Sequence, residues 1–182
     1  ASVNTVEKLL NIPINHYVVF NFLSFIKLID AVGGIDVNVK QAFDGVTKDG
    51  PGSIHFDAGK QHLDGTKALS YARERHSDND IMRGFRQQEI IQAVEDKLKS
   101  GQSIMKIMDI IDSLNGNIQT DVDSNELTHL VKEGLTWTNY DKQQLSFDWR
   151  TFSNEGRSMV ELYPDSIENV RHQLRVSLNL EK

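Results

Sequence analysis

The chain has no cysteine, which excludes disulfides and thiolate metal sites and is compatible with an extracellular setting without establishing one. It also lacks an apolar run long enough to cross a bilayer. The longest, from Tyr17 to Ile29, is interrupted by Asn21, Ser24 and Lys27, so any membrane anchor is expected outside this sequence. Positive charge is in deficit: 20 Lys and Arg stand against 26 Asp and Glu, for a net charge of -6 and a pI near 5.5. That balance argues against broad nucleic-acid binding, and no segment resembles a DNA-binding motif. The six histidines show no metal-ligand spacing, and no serine stands in a nucleophile elbow. Internal repeats and low-complexity segments are absent as well.

What is present fits an ordinary globular protein. With 182 residues, 38% of them hydrophobic and 25% charged, the chain is long enough for one sizeable core, and a single domain over 1–182 is expected. Asn4 with Glu7 three residues later reads as a helix start, ending at Leu9-Leu10 before Pro13. His16 to Asn21 reads as a buried strand, and Phe22 to Val32 as a helix stopped by the C-cap Gly33-Gly34. Ile35 to Val39 alternates as a strand, Phe43 to Gly52 reads as a loop, and Ser53 to Phe56 as a short strand. Helices are expected from Asp64 to about Tyr71, Asp80 to Lys99, Ile104 to Leu114, Ser124 to Thr136 and Asp165 to Leu180. Two strands near Gln143 to Phe152 and Ser158 to Tyr163 precede the last helix. The class is α/β, with a mixed central sheet carrying helices on both faces. Asp121 to Glu126 has a partial calcium-loop pattern but lacks the glycine at its sixth position and the glutamate at its twelfth, so Asp123 is read as a helix cap instead.

Four of the eight arginines fall between Arg73 and Arg86. On a helix that begins near Asp80, the residues Asp80, Arg83 and Gln87 share a face that continues through Ile91, Val94 and Leu98. Arginine in the first turns of a helix opposes the macrodipole, so Arg83 and Arg86 call for a negative partner there. Arg73 and Arg75 converge on one anion if the chain is extended and diverge if it is helical. A guanidinium fork matches phosphate oxygens two at a time, and the stripe as a whole fits an amphiphile with a charged head and a long apolar tail. Phe20, Phe22 and Phe25, with Ile91, Val94 and Leu98, are the candidates for a tail groove. The competing reading makes the charges a surface ion-pair network and the stripe the core face of an amphipathic helix. His76, inside the arginine loop, is a further candidate contact for a substrate phosphate.

The segment Ala68-Leu-Ser-Tyr-Ala-Arg-Glu-Arg75, followed by Asp80-Ile-Met-Arg83 and Arg86-Gln87, resembles the signature of the LytR-CpsA-Psr family of bacterial cell-envelope proteins. Thr5-Val-Glu-Lys-Leu-Leu-Asn-Ile-Pro-Ile-Asn-His-Tyr17, Leu28-Ile-Asp-Ala-Val-Gly-Gly-Ile35, Gly59 with Leu63-Asp-Gly65, and Thr120-Asp121 extend the likeness over most of residues 3 to 135. The resemblance implies transfer of a polyprenyl-pyrophosphate-linked glycopolymer, such as wall teichoic acid or capsule, onto peptidoglycan. A sugar hydroxyl would attack the sugar-linked phosphate, and polyprenyl phosphate would leave. By that likeness Arg73, Arg75, Asp80 and Arg83 form the catalytic set, with Arg73, Arg75 and Arg83 gripping the pyrophosphate, Asp80 and Gln87 orienting them, and Arg86 assisting.

The family also carries an upstream segment whose arginines and carboxylates belong to the same site and are thought to bind magnesium. Nothing here matches it. The chain therefore reads as an N-terminally truncated piece of such a domain, with magnesium expected for the intact protein and no metal ligands of its own. An extracytoplasmic location at the cell surface, held by a membrane anchor outside these residues, is implied in the same way. The alternative function is a non-catalytic module that binds polyprenyl phosphate and acts as a regulator, in line with the transcriptional-attenuator label such proteins have carried.

Overall fold

The computed structural model describes residues 1–47, 52–74, 80–99, 118–123, 125, 126, 129, 133 and 143–181. They fall into two compact units, one made of Ala1–Tyr17 with Tyr140–Lys182 and the other of Val18–Asn139.

In the larger unit, helix α2 (Phe22–Ala31) begins where the Asn21 side chain accepts the Ser24 N–H at 2.8 Å. It ends as the glycine pair requires. Gly33 and Gly34 both take positive φ, and the Gly34 N–H returns to the Ile29 carbonyl at 2.9 Å. The chain then forms strands β2 (Ile35–Val39), β3 (Phe43–Val46), β4 (Ser53–Phe56) and β5 (Gly59–Leu63). Helix α3 (Gly65–Arg73) follows, with Asp64 accepting the Lys67 N–H at 2.8 Å, and then the long helix α4 (Asp80–Lys99). Two short strands, β1 (Val18–Phe20) and β6 (Ile118–Thr120), pair with each other.

Among the described residues, twelve buried ones make the core of this unit, including Ile29, Ile35, Phe56, Leu63, Tyr71 and Ile90. Phe43 and Phe56 stack at 4.8 Å, and Tyr71 of α3 closes the aromatic group at 5.8 and 5.7 Å. Residue size controls how closely the layers approach. A Cβ on Gly65 would stand 2.2 Å from the Ile26 carbonyl oxygen, and one on Gly45 2.4 Å from Ser70 Oγ.

In the smaller unit, α1 (Ser2–Leu10) ends at Asn11 in the left-handed region, and its C-terminal carbonyls are taken by arginines of α5 (Pro164–Ser177). Arg171 donates to Leu9 O at 2.6 Å and Arg175 to Asn11 O at 2.8 Å. Strands β7 (Trp149–Asn154) and β8 (Arg157–Leu162) form a hairpin closed by Glu155 and Gly156, both at positive φ, as a tight twisted hairpin demands.

The α/β class holds, and within it the described strands pair as four two-stranded antiparallel ladders: β1–β6, β2–β5, β3–β4 and β7–β8. Parallel pairing of the kind a mixed sheet contains is not among the described residues.

Several element boundaries differ from the sequence expectation. Helix α1 starts at Ser2 rather than at an Asn4 cap, because the Glu7 carboxylate faces forward and accepts the Ile14 N–H at 3.0 Å. The strand expected at His16 to Asn21 shrinks to Val18–Phe20, and those three side chains are 45–51% exposed rather than buried. Part of the expected loop is strand β3, where Gly45 marks close approach to α3, not a break. Strands β5 and β6 went unforeseen, β5 because its polar positions Lys60, Gln61 and His62 hide the period-2 pattern. Strand β8 and α5 lie within a few residues of their expected places, whereas the strand expected near Gln143 to Phe152 begins only at Trp149, residues 143–148 being neither strand nor helix. The helix expected at Ile104 to Leu114 lies outside the described residues, as do most positions of Ser124 to Thr136, of which 125, 126, 129 and 133 are helical. Asp123 is the cap expected there, accepting the Asn125 and Glu126 N–H groups at 2.8 and 2.9 Å.

Candidate functional site

The arginine segment maps onto the end of α3 and the start of α4. Arg73 is the last residue of α3, and its guanidinium carbon lies 4.7 Å from the centroid of the Phe22 ring at the start of α2. Its Nη1 is buried and has no hydrogen-bond partner among the described residues. A buried guanidinium nitrogen in that condition costs free energy that an anion would recover. Around it the surface is greasy: Phe22 is 50% exposed, and Val18, Val19, Phe20 and Leu23 are 41–51% exposed. A cationic group at the margin of an open apolar surface is the arrangement the amphiphile reading requires.

Arg83 is half-buried on the first turns of α4 and is engaged by neighbouring groups. Gln87, three positions before Ile90, is exposed and donates to the Ala72 carbonyl at 3.4 Å, so it too reaches the last turn of α3. Asp80 opens α4, but its side chain lies outside the described set, as do Arg75 and His76 altogether.

Arg86 plays a different part. Its side chain is 7% exposed, with Nε donating to the Tyr71 carbonyl at 3.1 Å and Nη2 to the Glu74 carbonyl. The guanidinium also lies over the Phe43 and Tyr71 rings, at 5.5 and 5.9 Å. It satisfies carbonyls that the end of α3 would otherwise leave open, which places it in the scaffold under the site.

The apolar candidates divide. Phe25, Val94 and Leu98 are partly buried and pack on the core, as the amphipathic-helix reading of the stripe anticipated. Phe20 and Phe22 remain open, and Ile91 is 60% exposed. The face that α4 turns inward runs through Arg86, Ile90 and Ala93, one position away from the stripe drawn through Gln87, Ile91 and Val94.

Sequence reasoning overlooked Glu89. Its Oε2 accepts the Tyr71 hydroxyl at 2.7 Å and its Oε1 the Asn38 main-chain N–H at 2.8 Å, joining α4 to α3 and β2. The only signal was its position three residues after Arg86, on the same face of α4. Glu89 also borders an open cleft of about 690 Å³ lined by Asp36, Gln61, His62, Gln92 and Asp96. There Lys97 and His62 hold the Asp36 carboxyl below the usual carboxylate range.

The family model of the LytR_cpsA_psr family matches residues 1–176. The chain belongs to that family. It is 41% identical over 132 residues to the polyisoprenyl-teichoic acid–peptidoglycan teichoic acid transferase TagU of Oceanobacillus iheyensis, covering 71% of this chain and 39% of that protein. Against the protein of the same name from Enterococcus faecalis it is 32% identical over 180 residues, covering 98% of this chain and 57% of that protein. The crystal structure of B. subtilis TagV superposes with a TM-score of 0.81 at 32% identity, over 98% of this chain and 69% of that one. This LytR-CpsA-Psr chain thus spans between about two fifths and three fifths of the length of these curated relatives.

Proposed function

We propose that this LytR-CpsA-Psr chain contributes the donor-diphosphate grip of an enzyme that attaches a polyprenyl-pyrophosphate-linked anionic glycopolymer to peptidoglycan. The relatives' names support the polymer class and the acceptor: both are transferases of teichoic acid to peptidoglycan. Within the chain, the observation that carries the reading is the buried Arg73 Nη1, lacking a hydrogen-bond partner among the described residues, beside the open apolar surface of β1 and the start of α2.

In the proposed reaction, a hydroxyl oxygen of the peptidoglycan sugar forms a bond to the sugar-linked phosphorus and releases its proton to solvent, and the bond from that phosphorus to the bridging oxygen breaks. Polyprenyl phosphate leaves with the electron pair. Phosphoryl transfer of this kind depends on positioning and on neutralising charge at the non-bridging oxygens. Arg73 and Arg83, carried on two helices pinned together by Arg86, Gln87 and Glu89, would supply that neutralisation, with Arg75 and Asp80 assigned beside them by the family likeness. Phe20 and Phe22 would receive the first isoprene units.

Among the described residues no group of three or more His, Cys, Asp or Glu side chains is placed to hold a metal ion, and the magnesium that the family likeness implies for the intact protein is assigned to none of them. No step here runs through a metal ion. No helix among the described residues is long and apolar enough to cross a membrane. Because donor lipid and peptidoglycan meet outside the cytoplasm, the proposed place of action is the extracytoplasmic membrane surface.

The test is transfer of a radiolabelled lipid-linked glycopolymer to peptidoglycan by the protein at its full natural length, with Arg73→Ala and Arg83→Ala beside it. Product formation that both substitutions abolish is the expected result. Equal turnover by the variants would remove the two arginines from the mechanism, and lipid binding without turnover would favour the regulatory module.

A further inference from the structure

Arg73 has no hydrogen bond from Nη1 to hold it among the described residues, so its place is set by the backbone of the last turn of α3 and by the Phe22 ring. That turn is in turn held from α4. Arg86 takes the Tyr71 and Glu74 carbonyls, and one turn further along Glu89 takes the Tyr71 hydroxyl while gripping the main chain of β2 at Asn38. Tyr71 is 2% exposed and wedged against Phe43 and Phe56, so its hydroxyl has little freedom to find another acceptor. It stands two residues before Arg73.

We infer that Glu89 is a positioning residue for the anion site: through the Tyr71 hydroxyl it fixes the angle at which the end of α3 presents Arg73. The inference rests on the donor-site reading above. A carboxylate suits this role because it alone among similar side chains accepts on both oxygens. Glutamine at the same place keeps the volume but turns one acceptor into a donor, which must face either the Tyr71 hydroxyl or the Asn38 N–H. The pin is polar and sits between two helices, where a small change in acceptor geometry moves a charged group without emptying the core.

The experiment measures binding of farnesyl diphosphate to the whole chain by titration calorimetry, for wild type, Glu89→Gln, Tyr71→Phe, Arg73→Ala and the double variant Glu89→Gln/Arg73→Ala, with circular dichroism confirming that each is folded at the assay temperature. Glu89→Gln and Tyr71→Phe are each expected to weaken binding roughly tenfold, the scale of one hydrogen bond made poorly. In the Arg73→Ala background, Glu89→Gln is expected to add nothing. Tyr71→Phe keeps the ring packing and serves alone should Glu89→Gln fail to fold. Wild-type affinity in Tyr71→Phe, or an equal loss from Glu89→Gln with and without Arg73, would overturn the inference while leaving the donor site in place. Wild-type protein that ignores the diphosphate, or Arg73→Ala that binds it as wild type does, would overturn the donor-site reading and this inference with it.

Discussion

Arg86 and Tyr71 meet twice: the guanidinium donates to the Tyr71 carbonyl at 3.1 Å and lies 5.9 Å from the centroid of its ring. A residue that reads as part of an anion-binding cluster is thereby committed to the end of α3. Arg86→Ala is expected to destabilise the larger unit by about 2–4 kcal/mol, since it strips two buried carbonyls of a charged donor. Arg86→Lys should recover little of this, because an ammonium cannot span both carbonyls as the fork does. Urea denaturation checks both, and a variant within about 0.5 kcal/mol of wild type would show that the carbonyls find other donors.

Arg73 should behave in the opposite way. Removing it relieves a buried unpaired nitrogen and forfeits only its contact with the exposed Phe22 ring, for a net change in stability of at most about 1 kcal/mol. Farnesyl diphosphate binding, measured by calorimetry, should fall by roughly tenfold or more, because a charge-assisted bond to phosphate is lost. Arg83→Ala is expected to weaken the same binding, with only a modest fall in melting temperature from the neighbouring contacts it gives up. A loss of folding equal to the loss of binding would return either arginine to the ion-pair network.

The sequence made the helical segments legible where capping and period agreed. Gly33-Gly34 marks a real helix end, the helix expected from Asp64 begins beside it at Gly65, and α4 spans the twenty residues its pattern assigned; the Asn21 cap, read in the sequence as the end of a strand, came only from the structure. Strands fared worse for a physical reason. Gly45 looks like a loop residue in one dimension, and only the packed structure shows that Ser70 leaves no room for a side chain there. The site was half legible. Clustering of arginines signals an anion, but sequence does not say which guanidinium is spent on carbonyls, as Arg86 is, and which keeps a buried nitrogen in reserve, as Arg73 does. Glu89 was invisible because a lone glutamate on a long helix is ordinarily a solvated residue, and its two partners are 18 and 51 positions away.

His55 gives a pH handle remote from the arginines. On the β3–β4 hairpin its Nδ1 lies 2.8 Å from Asp44 Oδ1, and that carboxylate raises its pKa above the ordinary imidazole value. The sign follows from linkage. A folded-state pKa above the unfolded one means the pair's contribution is complete below the unfolded value and fades as pH rises through the folded one. Proton NMR titration should place His55 above the ordinary imidazole value, and Asp44→Asn should bring it down. A His55 titration unchanged by Asp44→Asn would rule out the pair in solution.

The approach of α2 to α3 turns on the absence of one carbon. Gly65 follows the Asp64 cap, its N–H is held by the Asp30 carboxylate at 2.7 Å, and a Cβ there would lie 2.2 Å from the Ile26 carbonyl oxygen and 2.7 Å from its Cα. Both obstacles are backbone, so no rotamer change relieves them. Gly65→Ala is expected to cost about 1–3 kcal/mol through overpacking, despite alanine's better helix propensity, which alone would favour the substitution. The displacement would push α3 away from α2 and carry Arg73 off the Phe22 ring, so diphosphate binding should weaken along with stability. Thermal melts and calorimetry on the one variant check both, and an unchanged or raised melting temperature would show that the helices separate without penalty.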